Sequence, residues 1–328
     1  MNKPPLVDVL ISTYNHRNFI GQAIESVLAQ ETDFEYRLSI ADDCSDDGTC
    51  EIIYEYANRH PERMTVMISP QRVGLQSQER FSIKVMEQLG GKYIALLDGD
   101  DYWTSKHKLQ KQVDFLEQHP DFAICFHNAT IVYEQKEKSP HDMVSPAQKE
   151  ITTLEDLLKE NFIPTSAVMF RNRLFGSIPA WFYRGLPGDW FLHILNAQHG
   201  KIRYFDDVMA VYRQQPEGAW SGLQPEQQVY HILDAYRLID AHLNYEYHKT
   251  CSRYMQEFKR SLSYIYLRKF HTGARSGHLG EAARWLFRAI SHDPKRIADF
   301  HQFPRILKSC VLGTMRMMRR RPPSEAAG

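Results

Sequence analysis

Lys92-Tyr93-Ile94-Ala95-Leu96-Leu97-Asp98-Gly99-Asp100-Asp101-Tyr102-Trp103 joins a short apolar run to three carboxylates. The run is continuous rather than alternating, which predicts a strand buried on both faces of an α/β sheet. The acids then fall at its carboxyl end, where open α/β sheets place their ligands. Three neighbouring carboxylates repel one another unless positive charge lies between them. A hard divalent cation that also holds phosphates meets that need with oxygen ligands alone. The plainer alternative is a strand-to-helix turn in which Asp caps the next helix, since Asp and Gly are ordinary turn residues.

Upstream, Val7-Asp8-Val9-Leu10-Ile11-Ser12 reads as a first buried strand, followed by the polar loop Thr13-Tyr14-Asn15-His16. Ile20, Ile24, Val27 and Leu28 have helical spacing and predict a helix over 18–30. Arg37-Leu38-Ser39-Ile40-Ala41 is a second strand that also ends in acids, Asp42-Asp43. Cys44 to Thr49 forms a turn and cap cluster before a helix carrying Ile52, Ile53 and Tyr56. Met64–Ile68 is a third strand, and Gln78 to Leu89 a further amphipathic helix. This alternation predicts a parallel, doubly wound sheet. Acids delivered by two strands to one edge argue against the capping alternative.

Downstream, a helix is expected over Lys106–Gln118 and strands at Phe122–Phe126, Ala167–Phe170 and Val208–Arg213. Residues 134–150 are polar and irregular, Thr153 starts a short helix, and Gly188-Asp189-Trp190 opens another. From Pro225 the pattern turns helical, with long helices over Glu226–Leu243 and Thr250–Phe270. Gly277 to Pro294 resembles one unit of a helical-hairpin repeat. The expected organisation is therefore an α/β domain over 1–222 and a helical appendage over 223–328. Phe303 to Arg321 combines Ile306, Leu307, Val311 and Leu312 with a terminal cluster of Arg319, Arg320 and Arg321. Such a helix either lies on an anionic membrane face or packs on its own domain with a solvated basic end.

Composition bounds the remaining classes. Among 328 residues, 43% are apolar, ample for a core. Lys+Arg and Asp+Glu both number 40, so no overall field favours nucleic acid. Five scattered cysteines without short paired spacings argue against a disulfide framework or a zinc site. No secretory signal precedes the first strand pattern and no run has transmembrane length. The expectation is a cytoplasmic protein with reduced thiols, at most touching the cytoplasmic face of the inner membrane.

Three further blocks bring in a family. Val9-Leu10-Ile11-Ser12-Thr13-Tyr14-Asn15, Ala23 to Gln30, and Ala41 to Thr49 resemble the start of the family-two glycosyltransferases, inverting enzymes of the GT-A fold. Asp98-Gly99-Asp100 resembles their Asp-x-Asp motif, and Tyr102-Trp103 with Lys108-Leu109-Gln110-Lys111-Gln112 is similar to the stretch after that motif in bacterial members. Gly188-Asp189-Trp190 resembles the later acidic motif that supplies their base. The blocks occur in the family's order over residues 6–222.

The resemblance implies a GT-A domain and a role for each matched residue. Ser12, Thr13 and Tyr14 line the nucleotide pocket, with Tyr14 against the base ring. Asp43, with Asp42 beside it, accepts from the base, which suits the imide N–H of uracil. Asp98 faces the ribose. Asp100, together with Asp98, holds Mn²⁺ or Mg²⁺ at the diphosphate, and Asp189 is the general base. The substrates implied are a nucleotide diphosphate sugar, with a UDP-sugar favoured, and a glycan or lipid-linked glycan acceptor. One hydroxyl displacing the sugar needs a single base and inverts the anomeric centre, through an oxocarbenium-like state.

Some positions depart from the family pattern. Arg72-Val73-Gly74 stands where relatives often carry Asn-x-Gly, so Arg72 either contacts phosphate or acceptor or is a surface charge. Gln214 and Gln215 stand where many relatives place a His after Tyr212-Arg213. Arg213 is the candidate diphosphate contact, and Trp220-Ser221 belongs to a loop able to close over the donor. Asp101 caps the following turn or orients its neighbours, and Trp103 is a further candidate. His16, His107 and His127 lack metal-ligand spacing and read as solvent or packing histidines. A sugar nucleotidyltransferase is the nearest rival, but Ser12 to His16 is not the Gly-rich basic loop that such an enzyme needs. A non-catalytic scaffold is disfavoured because all three acid sites are present.

Overall fold

A computed structural model describes residues 4–74, 80–133, 138–215, 218 and 220–294. Its first half is the expected alternation. Strand β1 (Val7–Thr13) leads to helix α1 (Ile20–Leu28), β2 (Tyr36–Asp42), α2 (Thr49–Arg59), β3 (Met64–Ile68), α3 (Phe81–Met86) and β4 (Tyr93–Asp98). Then come β5 (Tyr102–Trp103), α4 (Lys108–Gln118), β6 (Phe122–Tyr133), β7 (His141–Asp142), β8 (Ile151–Thr152), α5 (Leu154–Leu157), β9 (Met169–Arg171), α6 (Gly188–Ala197) and β10 (Lys201–Gln214). Among the described residues the strands form one sheet in the order β3-β2-β1-β4-β9-β6-β10-β5, with β7 on β6 and β8 on β10.

The pairs β1–β2, β1–β4, β2–β3 and β6–β10 are parallel. The three-residue β9 joins the two halves antiparallel to both β4 and β6. Because β1 and β4 are central, their apolar runs are buried on both faces: Val7, Val9, Ile11, Tyr93, Ala95 and Leu97 share one cluster. Helix α1 buries Ile20, Ala23, Ile24 and Val27, the stripe its spacing predicts. Chain order reverses at β1: β2 and β3 lie to one side and β4 to the other. Ligand crevices of open α/β sheets form at such a point.

Boundaries differ from the sequence expectation where local chemistry intervenes. Helix α4 begins at Lys108, and α3 ends at Met86. The start of the helix expected from Gln78 lies outside the described residues. Strand β6 runs seven residues beyond Phe126, because residues 128–133 pair with the bulged second half of β10. Those added residues are less apolar, so no buried-strand pattern announces them.

Helices α7 (Pro225–His242), α8 (His248–Arg275) and α9 (Leu279–His292) follow. The chain divides into two compact units. Among the described residues, the first takes in those to Leu223 together with Asp234–Cys251, and the second Gln224–Leu233 with residues 252–294. Asp234–Cys251 belongs with the first unit through side-chain contacts: the buried Tyr236 donates to Leu158 O at 3.0 Å, and the half-buried Trp181 Nε1 to His242 Nδ1 at 2.9 Å. In the second unit Val229, Leu233, Leu262, Tyr266, Leu267 and Ala289 form a small core, with Trp285 stacked on Tyr266. No helix among the described residues is long and apolar enough to cross a membrane. The basic segment Phe303–Arg321 lies outside the described residues.

Candidate active site

The turn after β4 is fixed by close backbone approach. Gly99 N donates to Ser12 O at 2.8 Å, and Asp101 N to Asp98 O at 3.0 Å. A Cβ on Gly99 would lie 2.5 Å from Thr13 Oγ1 and 2.8 Å from His16 Nδ1. Only glycine brings β1 and this turn so close.

Each acid of the turn has a different setting. Asp101 is buried; its Oδ1 accepts from Arg213 N at 2.9 Å, tying the turn to β10. Burial, then Asp100 and Asp98, raise its carboxyl well above the usual range. Asp98 is pushed up to about 8 by burial first and by the charges of Asp100 and Asp189 next. Asp100 Oδ2 accepts from Gln215 Nε2 at 3.0 Å, and His16 Nε2 lies 3.9 Å away. Arg213 donates to Asp100 O and Gln22 Oε1, with its guanidinium over the Tyr102 ring. Gln215 O in turn accepts from Ser221 Oγ at 2.6 Å, so the Trp220-Ser221 turn is tethered to Asp100.

The acids after β2 behave differently. Asp42 is fully buried, and its oxygens accept from Ser45 N, Ser45 Oγ and Cys50 Sγ. This corrects the expectation that Asp42 contacts a base: it faces inward and holds its own turn. Asp43 is half-buried and accepts from Val73 N at 2.9 Å and Gly74 N at 2.7 Å. It thereby anchors the segment carrying Arg72, whose guanidinium sits 4.2 Å from the centre of the Tyr14 ring. Ser12 and Tyr14 are partly exposed, whereas Thr13 is buried with Oγ1 3.2 Å from His16 Nδ1. Trp103 is also turned inward, donating to Ser166 O at 2.8 Å, so it is core rather than a ligand contact.

Asp189 lies in the first turn of α6. Its Oδ2 accepts from Asn161 Nδ2 at 3.2 Å and Thr165 Oγ1 at 3.5 Å, and its Oδ1 from Trp190 N at 2.8 Å. The indole of Trp190 donates to Leu157 O, which seats that turn. The acids of β4 and α6 meet in one field. Asp189 helps raise Asp98, and burial with Asp101, Asp98, Asp100 and Asp189 raises the Tyr212 phenol. Ser12, Thr13, Tyr14, Asp43, Arg72, Asp98, Asp100, Arg213 and Gln215 thus occupy one sheet edge, which Asp189 reaches from α6.

Four neighbours escaped the sequence expectation: His16, Asn161, Thr165 and Tyr212. His16 is not a mere solvent or packing histidine, since it touches both Thr13 and Asp100. His127 is a packing histidine, buried and held well below its ordinary pKa by that burial. Tyr212 was legible only as the residue before Arg213; nothing local ties it to acids from β4 and α6.

Among the described residues no group of three or more His, Cys, Asp or Glu side chains has a metal-holding arrangement. The donor set still fits a divalent cation. Mg²⁺ and its analogues bind through one or two carboxylates plus substrate phosphates, and mutual repulsion of Asp98, Asp100 and Asp189 is what such a cation relieves.

The glycosyl transferase family 2 model matches residues 8–178. An uncharacterized protein of Mycobacterium tuberculosis, Rv1520, is 34% identical over 215 residues, covering 65% of this chain and 60% of its own length. The Bacillus subtilis protein named as the putative teichuronic acid biosynthesis glycosyltransferase TuaG is 32% identical over 177 residues, 54% of this chain and 66% of its own. Among solved structures, S. aureus TarS 1-349 in complex with UDP-GlcNAc aligns with a TM-score of 0.54 at 17% identity, over 85% of this chain and 90% of that one. This last likeness is one of fold.

Proposed function

Because the chain belongs to glycosyl transferase family 2, we propose that it moves a sugar from a nucleotide diphosphate sugar, a UDP-sugar by preference, to a hydroxyl of a glycan or lipid-linked glycan, with inversion. The observation that carries this is the convergence of Asp98, Asp100 and Asp189 from two distant elements into one anionic site. The UDP-GlcNAc complex of TarS, a fold neighbour, is compatible with a nucleotide-sugar donor. The name of TuaG supports a surface-polymer acceptor.

In this reading Tyr14 packs on the base, Asp43 and the Arg72 segment edge it, and Asp98 meets the ribose. Asp100, with Asp98, would hold Mn²⁺ or Mg²⁺, which neutralises charge on the departing diphosphate. Arg213 and Gln215 keep Asp100 oriented through its carbonyl and carboxylate. Asp189 takes the proton of the acceptor hydroxyl as the new C–O bond forms and the sugar–phosphate bond breaks. Asn161 and Thr165 fix the direction of that carboxylate. General-base help of this kind is worth about 10²–10⁴-fold.

The catalytic domain is proposed over 1–222 and a helical appendage over 223–328. The basic segment near its end would touch the cytoplasmic face of a membrane. Deleting residues 303–328 should then release the protein from the membrane fraction. The activity is tested by incubating the chain with UDP-sugars, Mn²⁺ and acceptor glycans. UDP release that depends on acceptor supports the reading; pyrophosphate release, or no turnover across donors, removes it.

A further inference from the structure

A departing diphosphate calls for hydrogen-bond donors as well as a cation, and most described donors around Asp100 are already engaged. Arg213, the residue expected to meet the diphosphate, has its two terminal nitrogens on Asp100 O and Gln22 Oε1. Gln215 Nε2 is held by Asp100 Oδ2 at 3.0 Å. The Arg72 guanidinium lies over the Tyr14 ring. Arg17 turns to the loop after β2, with its backbone N on Asp47 Oδ2 and a guanidinium nitrogen on Asp47 O.

His16 is placed differently. It is half-buried, and its O accepts from Phe19 N at 2.9 Å and Ile20 N at 2.8 Å, which fixes it at the entrance to α1. Its Nδ1 lies 3.2 Å from Thr13 Oγ1, and a Cβ on Gly99 would come within 2.8 Å of that nitrogen. The ring is thus held between the end of β1 and the turn after β4. Its other nitrogen, Nε2, faces Asp100 Oδ2 at 3.9 Å, too far for a hydrogen bond. That geometry selects the tautomer. A lone pair on Nε2 would be repelled by the carboxylate, whereas an N–H is attracted to it. Nδ1 then accepts from the Thr13 hydroxyl, and Nε2 carries a proton in this tautomer and in the imidazolium alike.

Resting on the reading of this crevice as the site of a nucleotide diphosphate sugar, we propose that His16 is a contact of the diphosphate, with Nε2–H donating to a phosphate oxygen seated beside Asp100. Hydrogen bonds to an ionised acceptor are shorter and stronger than neutral ones. This one strengthens as the sugar–phosphate bond breaks and its electron pair stays on the diphosphate. Nε2 keeps its proton throughout. A protonated Nε2 has no lone pair for a cation, so His16 meets the phosphate and not the metal.

The test measures binding to the full chain with Mn²⁺, of UDP by calorimetry and of uridine by NMR titration, for the wild type, His16→Ala, His16→Gln and His16→Asn. His16→Ala should weaken UDP roughly 10- to 100-fold, the scale of a hydrogen bond to a charged group, and leave uridine within about twofold. Glutamine can set its Nε2 where the histidine has Nε2, so His16→Gln should stay within about fivefold of the wild type for UDP. Asparagine reaches only the place of Nδ1, and His16→Asn should resemble His16→Ala. Equal weakening of UDP and uridine overturns the proposal and makes His16 a prop for the Tyr14 loop. Unchanged UDP affinity in His16→Ala overturns it outright. Loss of Mn²⁺ binding by His16→Ala in the absence of nucleotide overturns it in favour of a metal ligand. A wild type that binds UDP no better than uridine removes the donor-site reading itself, and the role of His16 with it.

Discussion

The carboxyl ends of β2 and β4 both carry neighbouring aspartates, and the fold treats the two sets in opposite ways. After β2, Asp42 is surrounded by donors from Ser45 and Cys50, and Asp43 by the amides of Val73 and Gly74. After β4, desolvation of the partly exposed Asp98 and then the charges of Asp100 and Asp189 push its carboxyl up to about 8. Oδ2 of Asp101 is buried without a hydrogen-bond partner among the described residues. Carboxylates supplied with donors are part of the frame. In the proposed reading, a metal with its diphosphate would bring the positive charge that the repulsion within the β4 set calls for.

That contrast should break cleanly under substitution. The largest effect belongs to the β4 set: Asp100→Asn should lower transfer roughly 10²–10³-fold, the scale of losing one group that stabilises developing charge. Urea unfolding should show no loss of stability, because a repulsion has been removed. Chelation by EDTA should match this loss and added Mn²⁺ reverse it; an undiminished rate in EDTA would detach the site from metal.

Asp42→Ala should do the reverse. It removes the partner of three half-buried donors, at about 0.5–1.5 kcal/mol each. The urea midpoint should drop while turnover per folded molecule holds. Asp43→Asn should fall between the two: one amide partner is lost, about 1 kcal/mol, and donor KM rises with kcat nearly constant. Equal effects of Asp42 and Asp43 substitutions on KM would erase the distinction drawn between them.

The smallest expected effect lies behind the turn. Lys108 is fully buried, with Nζ 3.9 Å from the centre of the Trp103 ring and no hydrogen-bond acceptor among the described residues. Burial lowers its pKa from 10.5 to about 7. The unfolded chain therefore binds the extra proton between about pH 7 and 10.5, and stability from this group rises with pH across that window. Lys108→Met should flatten that rise and add about 1 kcal/mol at pH 7, read from urea midpoints at several pH values. A midpoint that falls on substitution would mean the ammonium has a partner.

Much of this was readable in the chain itself. Continuous apolar runs marked β1 and β4 as central, and acids at their ends marked the crevice. Helical spacing found the buried face of α1. What stayed hidden depended on register. Adjacent residues at a strand end point in opposite directions, so the pair Asp42-Asp43 could not be divided into an inward and an outward member before the strand was placed. His16 and Asp100 are 84 residues apart, and Asn161 stands 28 residues before Asp189. Contacts of that span leave no periodic trace. Trp103 carried the motif but not its direction, which the carbonyl of Ser166 decides.

The central claim is that Asp98, Asp100 and a divalent cation together form the donor site. Calorimetric titration of UDP into the wild-type chain and into Asp100→Asn, each with Mn²⁺ and with EDTA, tests it most directly. The account predicts binding to the wild type that requires Mn²⁺ and is lost in Asp100→Asn at unchanged thermal stability. Equal UDP affinity in all four titrations would contradict it.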